Sequence, residues 1–251
     1  MKKIVWIIGI VALVLIIGAI VVVGLFLDKI VKTGVETVGP KIVLVPVTVD
    51  TIHLALMTGS AKINSLVVGN PAGYRSTNAI TVGVAAVGVD PLTIFSDKIV
   101  VRSIEIRQPE ITFEGGLSGN NLSQILDNVN STAKNGGPPS TNKTAAASSK
   151  PAKKIEVDDL LIAGAKVHVI LTQLGGKEMS LTLPDIHLVD LGKDGNGITA
   201  TDLTRRVLSA ITTATIKAVA SAGTQITQGA QDLGKEGINK FKKGVGGLFG
   251  K

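Results

Sequence analysis

The chain has 251 residues, of which 45% are hydrophobic and only 3% aromatic, and it contains no cysteine. The lack of cysteine excludes disulfides, thiolate metal ligands and a cysteine nucleophile, and the scarcity of rings argues against a stacking platform for bases or sugars. The net charge of +7 is concentrated in basic runs at the N-terminus, in residues 131–154 and near the C-terminus, and such runs bind nucleic acid or anionic lipid.

The N-terminal part of the chain is one long apolar run. Residues 1–3 form a short stub, and residues 4–27 contain no charge and no proline. About 20 apolar residues are enough for a helix to cross a membrane, whereas a cleaved signal peptide has a shorter apolar region and small residues at its cleavage site. The run therefore predicts a transmembrane anchor. Lys2 and Lys3 precede it, so the N-terminus is expected in the cytoplasm and the body on the other side of the membrane. Beside such an anchor, the basic runs favour lipid over nucleic acid as a partner, and the alternative for the run in residues 131–154 is a solvated segment that binds neither.

Residues 28–129 are predicted to form a β-rich domain. Pro40 marks a break, and beyond it apolar residues alternate as they do in strands. Val43, Val45, Val47 and Val49 share one face, and Pro46 indicates an edge position. Further strands are predicted at residues 62–68, 80–89, 99–107 and 111–113, with turns at 58–60 and at Asn70-Pro71-Ala72-Gly73. This spacing predicts an antiparallel sheet that is either covered on both faces or wetted by lipid on one.

The sheet is expected to resume after an interruption. Residues 121–129 have helical spacing, and residues 130–154 are rich in Ser, Thr, Asn, Ala, Pro, Gly and Lys, a composition that predicts a disordered linker. Residues 155–198 continue the sheet, with strands at 155–157, 165–171 and 180–189. The expected fold class is α+β, with a transmembrane helix, a curled and mainly antiparallel β-sheet and a helical C-terminal tail.

The tail, residues 199–251, is predicted to be helical and basic. Thr199 and Asp202 have the spacing of a capping box, and an apolar stripe follows at Leu203, Val207, Ile211, Ala214 and Ala218. A looser stripe continues to Leu248, and its other face carries lysines. Such a basic amphipathic segment can lie on lipid; the alternative is that it packs on the sheet or frays in water. The candidate membrane-surface contacts are Lys240, Phe241, Lys242 and Lys243.

The sequence contains no motif that predicts catalysis, a metal site or a cofactor site. Gly229 to Lys235 begins like a phosphate loop, but Glu236 stands where a magnesium-binding Ser or Thr is required. His53, His168 and His187 fall on predicted strands, and their spacing does not make them converge on zinc. We therefore expect a protein that is not an enzyme.

Several segments of the chain resemble the AsmA-like proteins of bacterial envelopes, in particular a short subgroup of them. The matching segments are residues 26–36, 45–50, 59–74, 89–92, 104–111, 120–126, 155–161 and 183–192. The resemblance implies a curled β-sheet in the periplasm, attached to the inner membrane by a single span. In the larger members such sheets are thought to hold lipid acyl chains in an apolar groove. Asn70, Pro71 and Gly73 match the family's turn and are interpreted as structural, and the family has no catalytic residues to carry over.

Three functional hypotheses follow. The first is a non-enzymatic inner-membrane protein that binds membrane lipid and serves envelope or outer-membrane lipid homeostasis. The second is a scaffold or assembly subunit that binds a protein partner in the periplasm through the basic tail and the alanine-rich helix. The third is a small β-sandwich like those of desiccation-related proteins, which also use an Asn-Pro turn, although the interruption at residues 130–154 fits it poorly. None of the three involves nucleic acid.

Overall fold

The structure is a computed structural model, and it describes residues 26–117, 119–135, 153–171 and 177–222. Of the predicted anchor, residues 4–25 lie outside this part of the chain, as do the candidate contacts Lys240, Phe241, Lys242 and Lys243. Most of the predicted linker also lies outside it. No helix in the described ranges combines the length and the apolar character needed to cross a membrane.

The described residues contain three helices and nine strands. Helix α1 spans residues 26–43 and helix α3 spans residues 200–222, while α2 is Asn121–Lys134. The strands are β1 (Val47–Ala55), β2 (Ser60–Gly69), β3 (Asn78–Val89), β4 (Lys98–Arg107), β5 (Glu110–Glu114), β6 (Lys154–Ala163), β7 (Lys166–Leu171), β8 (Lys177–Thr182) and β9 (Ile186–Leu191). A 3-10 turn at Pro91–Thr93 joins β3 to β4.

All nine strands belong to one sheet, and this sheet is mixed. Strand β3 is central and antiparallel to β2, β4 and β5, and β1 lies at one edge beside β2. Strands β8 and β9 form the other edge. However, β4 pairs with β6 and β5 with β7 in parallel, so the prediction of a mainly antiparallel sheet is wrong. The reason is that the chain crosses over through α2 between β5 and β6, and a long crossover is what parallel neighbours require.

A crease runs across the sheet where three long strands are each broken in two. The breaks fall at Gln108-Pro109, at Gly164-Ala165 and at residues 183–185. Backbone bonds continue through them: Gln108 N–H donates to Ala163 O (2.7 Å), and Lys166 N–H donates to Pro109 O (2.9 Å). Gln108 and Gly164 have φ values of 49° and 63°, a left-handed conformation that bends a strand locally. The sheet therefore curls, and its inner face becomes concave.

The inner face carries the hydrophobic core. In one half of the sheet, Phe113 of β5 and Val169 of β7 are fully buried together with Leu122, Ile125 and Val129 of α2. Their spacing on α2 is the one-sided pattern expected of a helix that packs on a sheet. In the other half the inner face lies beneath α3.

Helix α1 lies along the edge strand β1 and is held there by three polar side chains. Asp28 Oδ1 accepts the Leu54 N–H (2.9 Å), Lys32 Nζ donates to Asp50 O (2.6 Å), and Glu36 Oε1 accepts the Val49 N–H (3.0 Å). Residues four apart share one face of a helix, so a single face of α1 meets the strand. These bonds satisfy edge groups that would otherwise be open to pairing with another chain.

The predicted break at Pro40 is not the end of α1, which continues to residue 43. The helix ends where Leu44 adopts a φ of 53° and its N–H donates to Pro40 O (3.0 Å). Two side chains of α2 then satisfy its last carbonyl groups: Asn128 donates to Val43 O (3.0 Å) and Thr132 to Ile42 O (3.2 Å). The end of α1 is thus set by contacts with α2.

Candidate functional site

An apolar cavity of about 250 Å³ lies between the inner face of the sheet and helix α3. Its walls come from β2, β3, β4, β5, β6 and α3, together with Val43 at the end of α1 and Pro109 at the crease. The lining includes no charged side chain, and Thr204 is its one polar residue among those described. A partly open apolar space of this kind offers a polar group no hydrogen-bond partner to replace its lost hydration.

The cavity floor is made by aliphatic side chains at paired positions of neighbouring strands. Ile104 of β4 pairs with Leu160 of β6, and Ile106 pairs with Ile162 in the same ladder. On β3, Val82 lines the same space and is only 4% exposed. Successive residues of a strand point to opposite faces, so these residues, spaced by two, make one continuous hydrocarbon surface.

The roof of the cavity is the first half of α3. Thr199 caps its start: Thr199 Oγ1 accepts the Asp202 N–H (3.0 Å), as in the predicted capping box, and donates to Asp202 Oδ2 (2.7 Å). The Thr199 hydrogen bond lowers the pKa of the Asp202 carboxyl. Of the predicted stripe, Leu203, Val207 and Ile211 line the cavity.

The apolar stripe predicted for α3 omits Leu208, which lines the cavity, and includes Ala214 and Ala218, which do not. Leu208 also lines the cavity and is 7% exposed. Ala214 and Ala218 lie beyond the cavity and are half-buried. The sequence could have indicated Leu208, because it lies about one helical turn from both Thr204 and Ile211. Including it makes the apolar face of α3 wider than a single row of residues.

The predicted turn at Asn70, Pro71 and Gly73 lies outside the cavity, at the end of the sheet where β5 meets α2. Asn70 Nδ2 donates to Ser76 O (2.8 Å), and Asn70 Oδ1 accepts from Asn121 Nδ2 (2.8 Å). Pro71 is buried, and Gly73 has a φ of 99°, which glycine adopts without strain. The turn is therefore tied to the start of α2.

A buried carboxylate, which the sequence did not single out, completes this polar network. Glu114 is 2% exposed and accepts three bonds, from Arg75 N–H (2.7 Å), Ser76 N–H (2.9 Å) and Ser76 Oγ (2.6 Å). Burial raises the pKa of Glu114, but these hydrogen bonds outweigh it, so the pKa lies below its ordinary value. An ionised, fully bonded carboxylate anchors the loop of residues 70–77 and is a poor general acid.

The three histidines do not come together. His187 contacts Asp159, His53 lies 3.9 Å from Asp28, and His168 lies 3.4 Å from Ser180. Across the described residues, no group of three or more His, Asp or Glu side chains is placed to hold a metal ion.

Comparison of the chain with family models, with curated proteins and with solved structures finds no match. The resemblance to the AsmA-like family, carried by the segments named above, therefore stays a prediction.

Proposed function

We propose that the chain is a non-enzymatic, membrane-anchored envelope protein that holds a lipid acyl chain in the cavity beneath α3. The observation that carries this proposal is the lining of that cavity, which is aliphatic on the sheet side and on the helix side and carries no charge. A polar ligand would lose its hydration there without gaining partners. A hydrocarbon chain gains about 0.8 kcal/mol for each methylene group that it buries.

The location of the protein is part of the same proposal. Residues 4–27 are the predicted anchor, and Lys2 and Lys3 before them favour a cytoplasmic N-terminus. Two apolar side chains at the start of α1, Phe26 and Ile30, are 64% and 61% exposed. Exposed apolar side chains next to a predicted anchor fit a contact with the membrane. The AsmA-like resemblance adds the bacterial inner membrane, the periplasm and a role in envelope lipid homeostasis.

The proposal is tested with the full chain in phospholipid nanodiscs and a fatty acid that carries a photoactivatable group. After irradiation and tryptic digestion, the peptide spanning residues 207–217 reports the roof of the cavity. The peptide spanning residues 4–29 contains the anchor and serves as an internal reference. The expected result is label in both peptides.

A pair of variants makes the experiment specific for the cavity. Val82→Phe fills the space from β3, where the native side chain is 4% exposed, whereas Val84→Phe makes the same change where the native side chain is 44% exposed. We expect Val82→Phe to lower the label in peptide 207–217 by about tenfold, which corresponds to ~1.4 kcal/mol of binding free energy. Val84→Phe should leave it unchanged. Label in the anchor peptide alone, in every variant, would refute acyl-chain binding.

The second candidate, a scaffold for a periplasmic protein, is favoured by a groove between α3 and the edge strand β9. Ile186, Leu188 and Leu191 form its floor, and Arg206 and Lys217 lie along α3 at its rim. Among the described strands, β9 pairs with β6 alone, so its outer edge can accept an added strand. Cross-linking from position 217 in membranes separates the hypotheses, because a scaffold gives hetero-complexes and a lipid carrier gives monomers.

A further inference from the structure

Three large hydrophobic side chains at one end of the sheet are almost entirely exposed. Met57 lies in the turn between β1 and β2 and is 86% exposed, while Leu92 and Phe95 lie between β3 and β4 and are 91% and 86% exposed. Single exposed apolar residues are ordinary on protein surfaces. Three together at the tips of two connections indicate a contact with something apolar.

These two connections lie side by side. The Val89 N–H at the end of β3 donates to Gly59 O in the β1–β2 turn, at 2.6 Å. Gly59 has a φ of 65° and its Cα faces Pro91 so closely that a Cβ would lie 2.8 Å from the proline ring. The tips that carry Met57, Leu92 and Phe95 therefore form one surface, here called the entry end.

Helix α1 begins at the same end of the sheet. Asp28, two residues after the first described residue, accepts the Leu54 N–H of β1 (2.9 Å), and Leu54 lies three residues before Met57. Phe26 and Leu27, the last two residues of the predicted anchor, therefore lie at the entry end. The opposite end of the sheet, by contrast, is where α1 finishes and where Glu114 ties down the loop of residues 70–77.

The charges around the entry end also suit a lipid surface. Lys153 Nζ donates to Ile94 O (2.6 Å), next to Phe95, and Lys29 is exposed at the start of α1. Asp90 is neutralised by Arg102 at 3.0 Å, while Asp97 is exposed. Lysines that flank apolar tips are attracted by anionic lipid headgroups.

We infer that the entry end rests on the phospholipid bilayer, with Met57, Leu92 and Phe95 inserted into its interface and the sheet standing upright on the membrane. The inference rests on the proposed anchor and adds a second contact with the membrane. It also gives the acyl chain a route. The half-buried Val87, Val89 and Ile99, which pack on the core, lead from the entry end towards the cavity.

The test uses single-cysteine variants of the full chain in nanodiscs, because a chain without cysteine takes a thiol-reactive fluorophore only at the introduced site. Leu92→Cys and Phe95→Cys place an environment-sensitive dye at the entry end. Leu117→Cys is the matched control, since Leu117 is 51% exposed at the opposite end of the sheet. All three replace exposed side chains, so the fold is retained.

We expect the dye at positions 92 and 95 to shift to shorter wavelength and to lose most of its emission when the bilayer contains spin-labelled lipid. The dye at position 117 should show neither effect. If the chain co-purifies with the nanodiscs but the dye responds equally at all three positions, the inferred membrane contact of the entry end is overturned and the predicted anchor is retained. If the chain does not co-purify with the nanodiscs, both the membrane contact and the predicted anchor are overturned. A shift at positions 92 and 95 that grows with protein density and resists lipid quenching would identify a second protein molecule as the partner, against the bilayer.

Discussion

Replacing Glu114 by glutamine should destabilise the fold through a single buried network. The carboxylate is 2% exposed and accepts hydrogen bonds from Arg75 N–H, Ser76 N–H and Ser76 Oγ. Glutamine has the same shape, but one of its two acceptor oxygens becomes an NH₂ donor. That donor must face backbone N–H groups, which leaves buried donors without an acceptor.

The expected loss follows from these contacts. A hydrogen bond to a charged group contributes about 1.5–3 kcal/mol, and a buried polar group left unsatisfied costs about 1–3 kcal/mol. Because one oxygen remains to accept, we expect Glu114→Gln to lower the free energy of unfolding by ~2–4 kcal/mol. Glu110→Gln is the matched control in the same strand. Its carboxylate is exposed, and exposed substitutions stay within about 0.5 kcal/mol.

The effect should depend on pH in a definite direction. The folded-state pKa of Glu114 lies below its ordinary value of 4.5, so its contribution is fully present above that value and is lost as the pH falls through the folded pKa. Urea titrations of the full chain in micelles, followed by circular dichroism, should therefore show the gap between wild type and Glu114→Gln narrowing on acidification. A gap that is constant with pH, or no larger than that of Glu110→Gln, would refute the reasoning.

Three further predictions concern the same loop and helix α3. Burial raises the pKa of Tyr74, the one tyrosine of the chain, and the charge of Glu114 raises it further. Glu114→Gln should therefore lower the pKa of Tyr74, as measured by a titration of tyrosinate absorbance. An unchanged pKa would exclude the effect of the Glu114 charge. Thr199→Ala removes the cap of α3 and should cost about 1 kcal/mol, seen as faster amide exchange in the first turn of the helix. The Thr215 hydroxyl is buried without a partner among the described residues, so Thr215→Val should raise the free energy of unfolding by about 1 kcal/mol, whereas Thr213→Val at an exposed position should change it little.

Local structure was largely predictable because its causes are local. Strands predicted at residues 62–68, 80–89 and 99–107 are found as β2, β3 and β4, each within two residues of its predicted limits. Thr199 also caps α3 as predicted, since its hydroxyl accepts the Asp202 N–H. Alternation of apolar residues and capping chemistry act over a few positions, so one sequence is enough to read them.

The pairing of strands was not predictable in the same way. Alternation shows that a segment is a strand but does not show which strand lies beside it or in which direction. The parallel neighbours β4–β6 and β5–β7 depend on where the chain returns after α2 and the segment 136–152. The sequence predicts an interrupting linker over residues 130–154, whereas α2 continues to Lys134 and β6 begins at Lys154. The length of α2 and the residues that follow it is sufficient for a crossover connection.

The crease that shapes the cavity lay beyond sequence reasoning for a related reason. Gln108 adopts a φ of 49° although it is not glycine, and such a conformation persists only where the surrounding structure holds it. In β4–β5 the hydrogen bonds on both sides of the break hold Gln108 in place. The sequence shows Pro109 there, which suggests the end of a strand rather than a bend within a continuous one.

The volume of the cavity limits what the proposed ligand can be. At about 250 Å³, it lies below the ~300–1,000 Å³ of pockets that bury most of a drug-sized molecule. A lipid with two acyl chains and a headgroup therefore cannot be enclosed while α3 is in this position. The proposed ligand is therefore a single acyl chain, part of which fills the cavity. The absence of charge in the lining requires the headgroup to stay outside. Binding that is measured with fatty acids of increasing length should consequently strengthen with each methylene until the cavity is filled, and then level off. Affinity that rises without a plateau would place the chain on an open surface instead.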